Sequence, residues 1–397
     1  MDCSSQIGIS KNMESDMLDY DYCTGCMACL NVCPKNAISC IENDKGFIVP
    51  SINNDLCINC GLCEKTCVIN NEIKSGFPIQ RTIALVHSNK DVLKKSTSGG
   101  AFTALSDVVL KKNGVIVGAF MDEEFSVYHI LTKEPSVRDK MRGSKYVQSN
   151  VNETYRWIKN HLKDGTFVMF VGTPCQAHAL RLYLKKDYDT LFVVDILCHG
   201  VPNNKMFKEH ISYISSYEKS SIKEYLFRTK RYRRRNSIQE YKLDNSNKFI
   251  TSFEAQEYAS FFRQSLSTRP SCRTCRYRCT HRFGDLTIGD YWGNAEPLKS
   301  GIAGVSLVCI NTPKGQSLID SADNIKYINV NTEEITRRPE FNAPHFVNQK
   351  RYDEFWNDYQ KSGYQNLISR YYCASYVNKL RFRFKVFISN IMRRDVQ

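Results

Sequence analysis

The chain has 397 residues, of which 42% are hydrophobic, so it is long enough for two or three domains with a substantial core. It contains no run of 18 or more apolar residues, which argues against a membrane span. The net charge of +14 favours an acidic partner, such as nucleic acid, an anionic membrane, an acidic redox protein or a phosphorylated cofactor. A basic enzyme without such a partner is the alternative.

The first twenty residues are polar and acidic, without the basic start and apolar middle of a signal peptide. We therefore expect residues 1–20 to be a flexible tail and the protein to be cytoplasmic. The chain has 17 cysteines, and in a cytoplasmic protein these indicate metal ligation rather than disulfides.

Two cysteine runs of equal spacing follow the tail. The first consists of Cys23, Cys26, Cys29 and Cys33, and the second of Cys57, Cys60, Cys63 and Cys67. The pattern C-x2-C-x2-C-x3-C-P is typical of bacterial two-cluster ferredoxins, in which the fourth cysteine binds the other cluster. We therefore predict that Cys67 completes the first four-iron cluster and Cys33 the second. Val68 replaces the expected proline, which we expect to change local rigidity and not ligation.

Zinc is the alternative metal, because C-x2-C pairs also bind it. Two matched quartets fit zinc poorly, since a zinc site needs four ligands, usually from two separated pairs. Between the runs, AISCI and FIVPSI flank the turn ENDKG and predict a hairpin. Residues 21–75 thus form a predicted α+β, ferredoxin-like domain with two 4Fe-4S clusters.

From residue 80, short apolar strands alternate with helical segments, which indicates an α/β domain with a mixed, partly parallel sheet over residues 80–310. The predicted strands include TIALVHS, VIVGAFM, TFVMFVG and TLFVVDILC, each followed in the chain by a helical pattern. Residues 222–253 instead predict a three-stranded meander, and strands return at LTIGD and GVSLVCIN. Residues 311–397 are predicted to be a mostly helical C-terminal region.

Isolated cysteines occur where this domain would carry a site. Cys175 and Cys198 follow predicted parallel strands, whose carboxyl ends usually form the binding site of an open sheet. Thr173 and Pro174 predict a helix start, so the helix dipole should favour the Cys175 thiolate. Cys272 and Cys275 form a C-x2-C pair that would complete a third quartet. Alternatively, Cys175 and Cys198 are small buried apolar residues, and Cys279 competes as a ligand.

Six motifs follow the ferredoxin runs in a fixed order: STSGGAFTAL, MRGSKYVQS, VGTPCQAHALR, ILCHGVPN, RPSCRTC and GDLTIGDYWG. Because it carries these motifs in this order, the chain resembles the coenzyme F420 hydrogenase/dehydrogenase beta-subunit family over roughly residues 20–310. The resemblance implies an FAD-binding domain with iron–sulfur clusters, and relatives that reduce coenzyme F420 or chlorophyll-type pigments. It also implies that Cys175, Cys198, Cys272 and Cys275 ligate a third 4Fe-4S cluster, whereas Cys279 lies outside the family pattern.

The STSGG segment precedes a helix, whose free N–H groups can bind an anion such as the flavin pyrophosphate. With the resemblance, Ser96, Thr97, Ser98, Gly99 and Gly100 become the predicted FAD loop, although ordinary helix caps look similar. Arg142 and Lys145 in the MRGSK motif are expected to contact a phosphate or the substrate, with a solvated turn as the alternative. His199, beside Cys198, is expected to tune a nearby cluster or to donate a proton, with a structural histidine as the alternative. Lys145 and His199 are thus the catalytic candidates.

Two basic segments remain. Residues 228–235, RTKRYRRR, could bind the phosphates of a nucleic acid, but we interpret them as a solvated hairpin tip. The segment KLRFRFKVFISNIMRR predicts a packed terminal helix, with a membrane-interface helix as the alternative.

Together these features predict an iron–sulfur flavoprotein oxidoreductase. A donor such as ferredoxin would supply single electrons to the clusters, and FAD would pass two electrons as hydride to a small organic acceptor, or the reverse. The main alternative is a non-enzymatic electron-transfer subunit of a larger redox complex. A nucleic-acid-binding protein with structural clusters is a third possibility that the sequence favours least.

Overall fold

The computed structural model describes residues 21–73, 76–230, 238–298, 304–342, 348–372 and 375–391. The tail predicted for residues 1–20 lies outside them, as do residues 231–235 of the basic run. Within the described ranges, no helix is both long enough and apolar enough to cross a membrane.

The cysteine region consists of two short helices and a hairpin. Their bounds are α1 Ala28–Val32, β1 Ile38–Glu42, β2 Ile48–Ile52 and α2 Leu62–Thr66. The hairpin is antiparallel, as the sequence predicts, and pairs Ile38 with Ile52. Each helix starts after a residue with left-handed backbone, Met27 with φ 56° and Gly61 with φ 67°. The two cysteine runs therefore have the same local geometry.

The rest of the chain is built on an eight-stranded mixed sheet. Its strands in chain order are β4 Arg81–His87, β5 Val115–Met121, β6 Val127–Thr132, β7 Val168–Gly172, β8 Leu191–Ile196, β13 Leu286–Asp290, β14 Ser306–Ile310 and β15 Ile325–Val330. Two short strands, β3 Phe77–Pro78 and β12 His281–Arg282, pair with each other outside this sheet. The order across the sheet is β15-β4-β14-β13-β8-β7-β5-β6. Strands β5, β7, β8 and β13 are mutually parallel, whereas β6, β14 and β15 pair antiparallel.

Helices connect and cover these strands. They are α3 Lys90–Lys95, α4 Ala101–Lys111, α5 Pro135–Lys140, α6 Thr154–Lys163, α7 Pro174–Leu184, α8 Asn204–Glu218, α9 Glu257–Arg263, α10 Pro270–Arg273, α11 Pro313–Asp320, α12 Thr332–Thr336 and α13 Pro339–Asn342. The predicted alternation of strands and helices is thus present. The predicted meander is also found, as β9 Ile222–Leu226, β10 Glu240–Leu243 and β11 Phe249–Ile250.

Two long helices end the described chain, α14 Gln349–Tyr371 and α15 Tyr376–Ile391. Helix α14 is interrupted at Gly363, whose φ of 72° is not helical. Its aromatic side chains, including the buried Trp356, pack in one core with α8 and α9. Residues 311–397 are thus mostly helical in the described ranges, but they also contain β15, which belongs to the large sheet.

The cysteine region packs directly on the large sheet. Met27 and Val68 share a hydrophobic core with Tyr155 of α6 and Phe170 of β7. The guanidinium of Arg156 donates hydrogen bonds to the carbonyl oxygens of Leu30, Asn31 and Cys33, at 3.0, 2.9 and 2.8 Å. These contacts fix the first cysteine run against α6.

Candidate functional site

An open cavity of about 1100 Å³ lies at one edge of the large sheet. The parallel strands β5, β7, β8 and β13 all end at this edge, and residues 173–176 and 196–201, which follow β7 and β8, line the cavity. Carboxyl ends of parallel strands are the usual position of ligand sites in such sheets. The cavity wall brings together the residues that the sequence predicts for a site. It contains the predicted FAD loop except Gly99, the two MRGSK cations, the third cysteine quartet and His199.

Two glycines shape the loop before α4. A Cβ atom on Gly99 would lie 2.1 Å from the carbonyl oxygen of Leu85 and 2.5 Å from the amide nitrogen of Ser306, so only glycine fits. Gly100 has φ 86° and leaves the start of α4 without a side-chain cap. The first N–H groups of a helix have no intrahelical acceptor, and Phe102 and Thr103 line the cavity. This helix start is suited to an anion.

Two of the three hydroxyl groups in the predicted FAD loop bind backbone carbonyl groups of the protein itself. Ser96 donates to the carbonyl oxygen of Val92 and Ser98 to that of Val305, each at 2.7 Å, so these hydroxyls hold the loop itself. The hydroxyl oxygen of Thr97 accepts a hydrogen bond from the Ser144 N–H at 3.2 Å, which leaves its own O–H available.

Both predicted cations lie beside the start of α4. The Nε of Arg142 donates to Thr103 Oγ1 at 2.8 Å, and the guanidinium also pairs with Asp139. Lys145 Nζ donates to the carbonyl oxygens of Met141 and Arg142, at 3.0 and 3.2 Å. Burial lowers the pKa of Lys145 to about 8, so it is still mostly charged at neutral pH.

The basic run begins in this cavity and not at a hairpin tip. Arg228 forms an ion pair with Asp290, 2.7 Å apart, and both residues line the cavity. Lys230 Nζ donates to the carbonyl oxygens of Ser98 and Leu93, at 2.5 and 2.8 Å. The interpretation as a solvated tip is therefore wrong for Arg228, which pairs with Asp290, and for Lys230, which holds the STSGG loop.

The four isolated cysteines come together on one side of the cavity. Removal from water raises the pKa of Cys198 to about 12, and the charges of Cys175 and Cys275 add to this effect. The pKa of Cys272 is raised well above its usual range by burial and by the other three thiols. Four cysteines that interact in this way fit the ligand set of one cluster.

The start of α7 has the predicted cap, and its thiol is buried. Thr173 and Gln176 form a capping box, and Pro174 is the first helical residue. Burial raises the pKa of Cys175 to about 11 and so opposes the effect of the helix dipole. A metal would have to deprotonate this thiol by coordination. Cys279 is buried elsewhere, donates to the carbonyl oxygen of His281 at 3.4 Å, and does not line the cavity.

Cys23, Cys26 and Cys29 of the first run lie close to Cys67, and these four thiols are called the first group. Burial is the main cause that raises the pKa of Cys29, followed by the charges of Cys26, Cys23 and Cys67. The N–H of Gly25 donates to Cys23 Sγ at 3.4 Å, as expected for a loop that hydrogen-bonds its sulfurs. In the second run, Cys60 is exposed. This run therefore lies at the protein surface.

Two buried tyrosines lie between the first group and the cavity. The pKa values of Tyr155 and Tyr277 are raised mainly by burial, and next by the charges of both Cys26 and Cys175. Tyr155 Oη donates to the carbonyl oxygen of Gln176 at 3.1 Å. The charge of Cys175 also raises the pKa of Cys26 itself. The first group and the cavity group are therefore neighbours.

Other cavity residues could not be singled out from the sequence. His129 of β6 is buried, stacks on Phe170, and makes hydrogen bonds with Ser149 Oγ and the Val171 carbonyl oxygen, at 2.8 and 3.1 Å. Burial lowers its pKa to about 4, so it is neutral. Trp292 lies in the cavity wall with 68% of its surface exposed. The expected His199 is also exposed there, and desolvation lowers its pKa.

Among the side chains that the structure describes, no three His, Cys, Asp or Glu groups approach closely enough to hold one metal ion. A four-iron cluster is several atoms wide, so its ligands need not approach each other so closely. Arg278 in the cavity wall has buried Nε and Nη1 atoms without a hydrogen-bond partner in the described ranges. Such orphaned donors fit an anionic ligand.

Parts of the chain are similar to known proteins. Residues 166–336 match the sequence model for the C-terminal part of the beta subunit of coenzyme F420 hydrogenase/dehydrogenase, and residues 22–71 match that of the 4Fe-4S dicluster domain. A subunit of the F(420)H(2) dehydrogenase of Methanosarcina mazei is 23% identical over 214 residues, which cover 49% of this chain and 60% of that protein. An uncharacterized protein of Methanocaldococcus jannaschii is 25% identical over 213 residues, covering 46% and 58%. A solved chain of the F420-reducing NiFe hydrogenase complex from Methanosarcina barkeri aligns over 74% of this chain and 92% of that chain, with TM-score 0.42 and 18% identity.

The two sequence-model matches define the class of the protein. The match to the dicluster domain makes the chain an iron–sulfur protein with a ferredoxin-type N-terminal domain. Residues 166–336 belong to the C-terminal region of the coenzyme F420 hydrogenase/dehydrogenase beta-subunit family, as the ordered motifs indicate. The chain spans about three fifths of the length of the curated relatives that it matches.

Proposed function

We propose that the protein is an iron–sulfur flavoprotein oxidoreductase that exchanges electrons between a protein partner and a small organic molecule. The observation that carries this proposal is that one cavity contains both a helix-start anion site and four convergent cysteines. When bound, iron–sulfur clusters transfer single electrons and a flavin interconverts one- and two-electron transfer.

The cysteines fall into three sets between the surface and the cavity. We assign Cys57, Cys60, Cys63 and Cys33 to a surface cluster, and Cys23, Cys26, Cys29 and Cys67 to the next, in a two-cluster ferredoxin-like domain of residues 21–75. Cys175, Cys198, Cys272 and Cys275 would hold the third cluster in a reductase domain of residues 80–310, followed by the helical region 311–397. The proximity of Cys67 to Cys23 and of Cys26 to Cys175 supports this order.

The flavin would lie against the start of α4. Its pyrophosphate would accept hydrogen bonds from the first N–H groups of α4 and from Thr97, with Lys145 and Arg142 as counter-charges. Gly100 allows the close backbone approach, and Lys230 keeps the loop in place from behind. Because Lys145 is held by backbone carbonyl groups, its charge is fixed before the ligand arrives.

The charge of the chain points to an anionic ligand in the cavity. Residues 21–73 contain six acidic and only three basic side chains, so the excess of positive charge lies elsewhere. The cavity wall contains Arg228, Arg278 and other basic residues. Since relatives are named for coenzyme F420, that compound is the first acceptor to test. The partner at the surface cysteines would be a ferredoxin-type protein, selected by contacts other than strong positive charge.

Cofactor analysis of the full chain, purified without oxygen, tests the proposal. We expect about twelve irons, from three four-iron clusters, and about one flavin per chain. The Cys175→Ser variant should lose roughly four irons, because one ligand of the third cluster is removed. Cys279→Ser is the matched control and should keep the full iron content.

Full iron without flavin would contradict the flavoenzyme and favour the non-enzymatic electron-transfer subunit. A Cys175→Ser variant with unchanged iron would contradict the third ligand set. Turnover with an artificial electron donor would then be measured for two acceptors, coenzyme F420 and a phosphate-free deazaflavin. The difference in rate between them tests the role of the anionic group.

A further inference from the structure

The outward face of α15 carries a stripe of four large apolar side chains. Val377, Leu380, Phe384 and Phe387 follow the three- and four-residue spacing of one helix face. Their exposed fractions are 54%, 45%, 63% and 59%, so each projects into solvent for about half of its surface. Single exposed apolar residues are common, but an aligned row of this kind marks an interaction surface.

The opposite face of α15 is attached to the protein, which fixes the rotation of the helix. The Phe382 ring contacts the Phe253 ring edge-on with centroids 5.9 Å apart. Lys379 Nζ forms an ion pair with Glu254 at 2.9 Å. The apolar stripe is therefore held away from the protein body and is not the face by which α15 docks.

Positive charge borders the stripe on both sides. Arg381 is one turn after Val377 and Arg383 is one turn before Phe387, so each lies about 40° outside the stripe. Both arginines are exposed, as is Lys385, and residues 376–391 contain no acidic side chain. An apolar centre between two cationic borders matches a surface whose apolar layer lies below negative groups. A lipid bilayer with anionic headgroups has this arrangement.

We propose that the α15 stripe binds the protein to the surface of an anionic membrane. Helix α15 would lie in the plane of the interface, with Phe384 and Phe387 inserted between the headgroups and Arg381 and Arg383 at the phosphates. The charge pattern distinguishes this partner from a second copy of the chain, because two cationic stripes repel each other. The surface is separate from the cavity, and the proposal does not depend on the proposed redox activity.

Sedimentation of the full, iron-loaded chain with lipid vesicles tests this inference. We expect binding to vesicles of phosphatidylcholine mixed with phosphatidylglycerol and little binding to pure phosphatidylcholine. The double variant R381Q/R383Q should bind about thirtyfold more weakly, since each basic residue near the surface contributes about 1 kcal/mol. Phe384→Ser and Phe387→Ser should each weaken binding on the order of tenfold, because an aromatic ring no longer enters the bilayer.

Two controls separate the stripe from general surface effects. Trp157→Ser removes an aromatic side chain with 42% exposure on α6, and Arg337→Gln removes an exposed arginine directly after α12, so both should bind like the original chain. Equal binding to both vesicle types, or unchanged binding of the α15 variants, would overturn the proposal. So would self-association of the chain that Phe384→Ser abolishes, since the stripe would then join two copies.

Discussion

Arg269 joins the first cysteine run to the sheet domain, and its removal should release that run. The residue is 1% exposed, and its Nε donates to the carbonyl oxygen of Cys23 at 2.5 Å. Its Nη1 donates to the carbonyl oxygen of Ile48 at 2.9 Å and to Gln148 Oε1 at 2.8 Å. In Arg269→Met, the Ile48 carbonyl oxygen and Gln148 Oε1 lose this donor, at about 1–3 kcal/mol each, whereas the Cys23 carbonyl oxygen keeps the Ser271 hydroxyl at 3.0 Å.

The net effect is smaller than the sum of these terms. Burying a guanidinium costs several kcal/mol, and methionine avoids that cost. We therefore expect Arg269→Met to lower the free energy of unfolding by about 3 kcal/mol, and to lose iron first from the cluster that Cys23 would bind. Arg269→Lys should not restore stability, because a single ammonium group cannot donate at once to the acceptors on Cys23, Ile48 and Gln148 as the planar guanidinium does.

Anaerobic urea unfolding, followed by cluster absorbance and by tryptophan fluorescence, measures both effects. Arg337→Met is the control, because this arginine is exposed and its ion pair with Glu333 is long, at 3.5 Å. It should change stability by less than about 0.5 kcal/mol. If Arg269→Met unfolds like the control and keeps its iron, the proposed attachment of the cysteine run is wrong.

Three further predictions concern the cavity. Gly99→Ala should lower flavin content strongly while iron is retained, because its Cβ would strike the Leu85 carbonyl oxygen and displace the loop; absorbance spectra measure both cofactors. Flavin affinity should fall as pH rises through about 8, where Lys145 and the loop-binding Lys230 both lose their charge, and Lys145→Met should reduce this pH dependence whereas Lys140→Met keeps it. Isothermal titration at several pH values measures this. Electron paramagnetic resonance of the reduced chain should show spin coupling between two clusters that disappears in Cys175→Ser, because the first group and the cavity group are neighbours.

Local patterns with strict chemistry could be predicted from the sequence. The spacing of Cys23 to Cys33 predicted the 4Fe-4S dicluster domain that residues 22–71 match, since few other structures need thiols at that spacing. Thr173 and Pro174 identified the start of α7, because helix caps are determined by neighbouring residues. The strand and helix alternation was likewise visible, since it depends on local apolar runs.

Features that depend on distant contacts could not be predicted in the same way. Lys230 belongs to a charged run, and only the fold shows that it reaches the carbonyl oxygen of Ser98. The Cys175 thiol was expected to ionise from its position on α7, but burial, which the sequence does not give, opposes this effect. His129 lies on β6, and the local sequence does not show that its side chain reaches the Val171 carbonyl oxygen. The third cysteine set required the family resemblance, because its members are far apart in the chain.

The central claim is that electrons pass between the surface cysteines and a flavin in the cavity. Stopped-flow absorbance of the flavin, after mixing with a reduced ferredoxin, tests it most directly. We expect flavin reduction in the original chain and at least a tenfold slower reaction in Cys60→Ser, which disrupts the exposed set, while Cys279→Ser reacts normally. A flavin that is reduced equally fast in Cys60→Ser, or that is absent from the iron-loaded chain, would contradict the account.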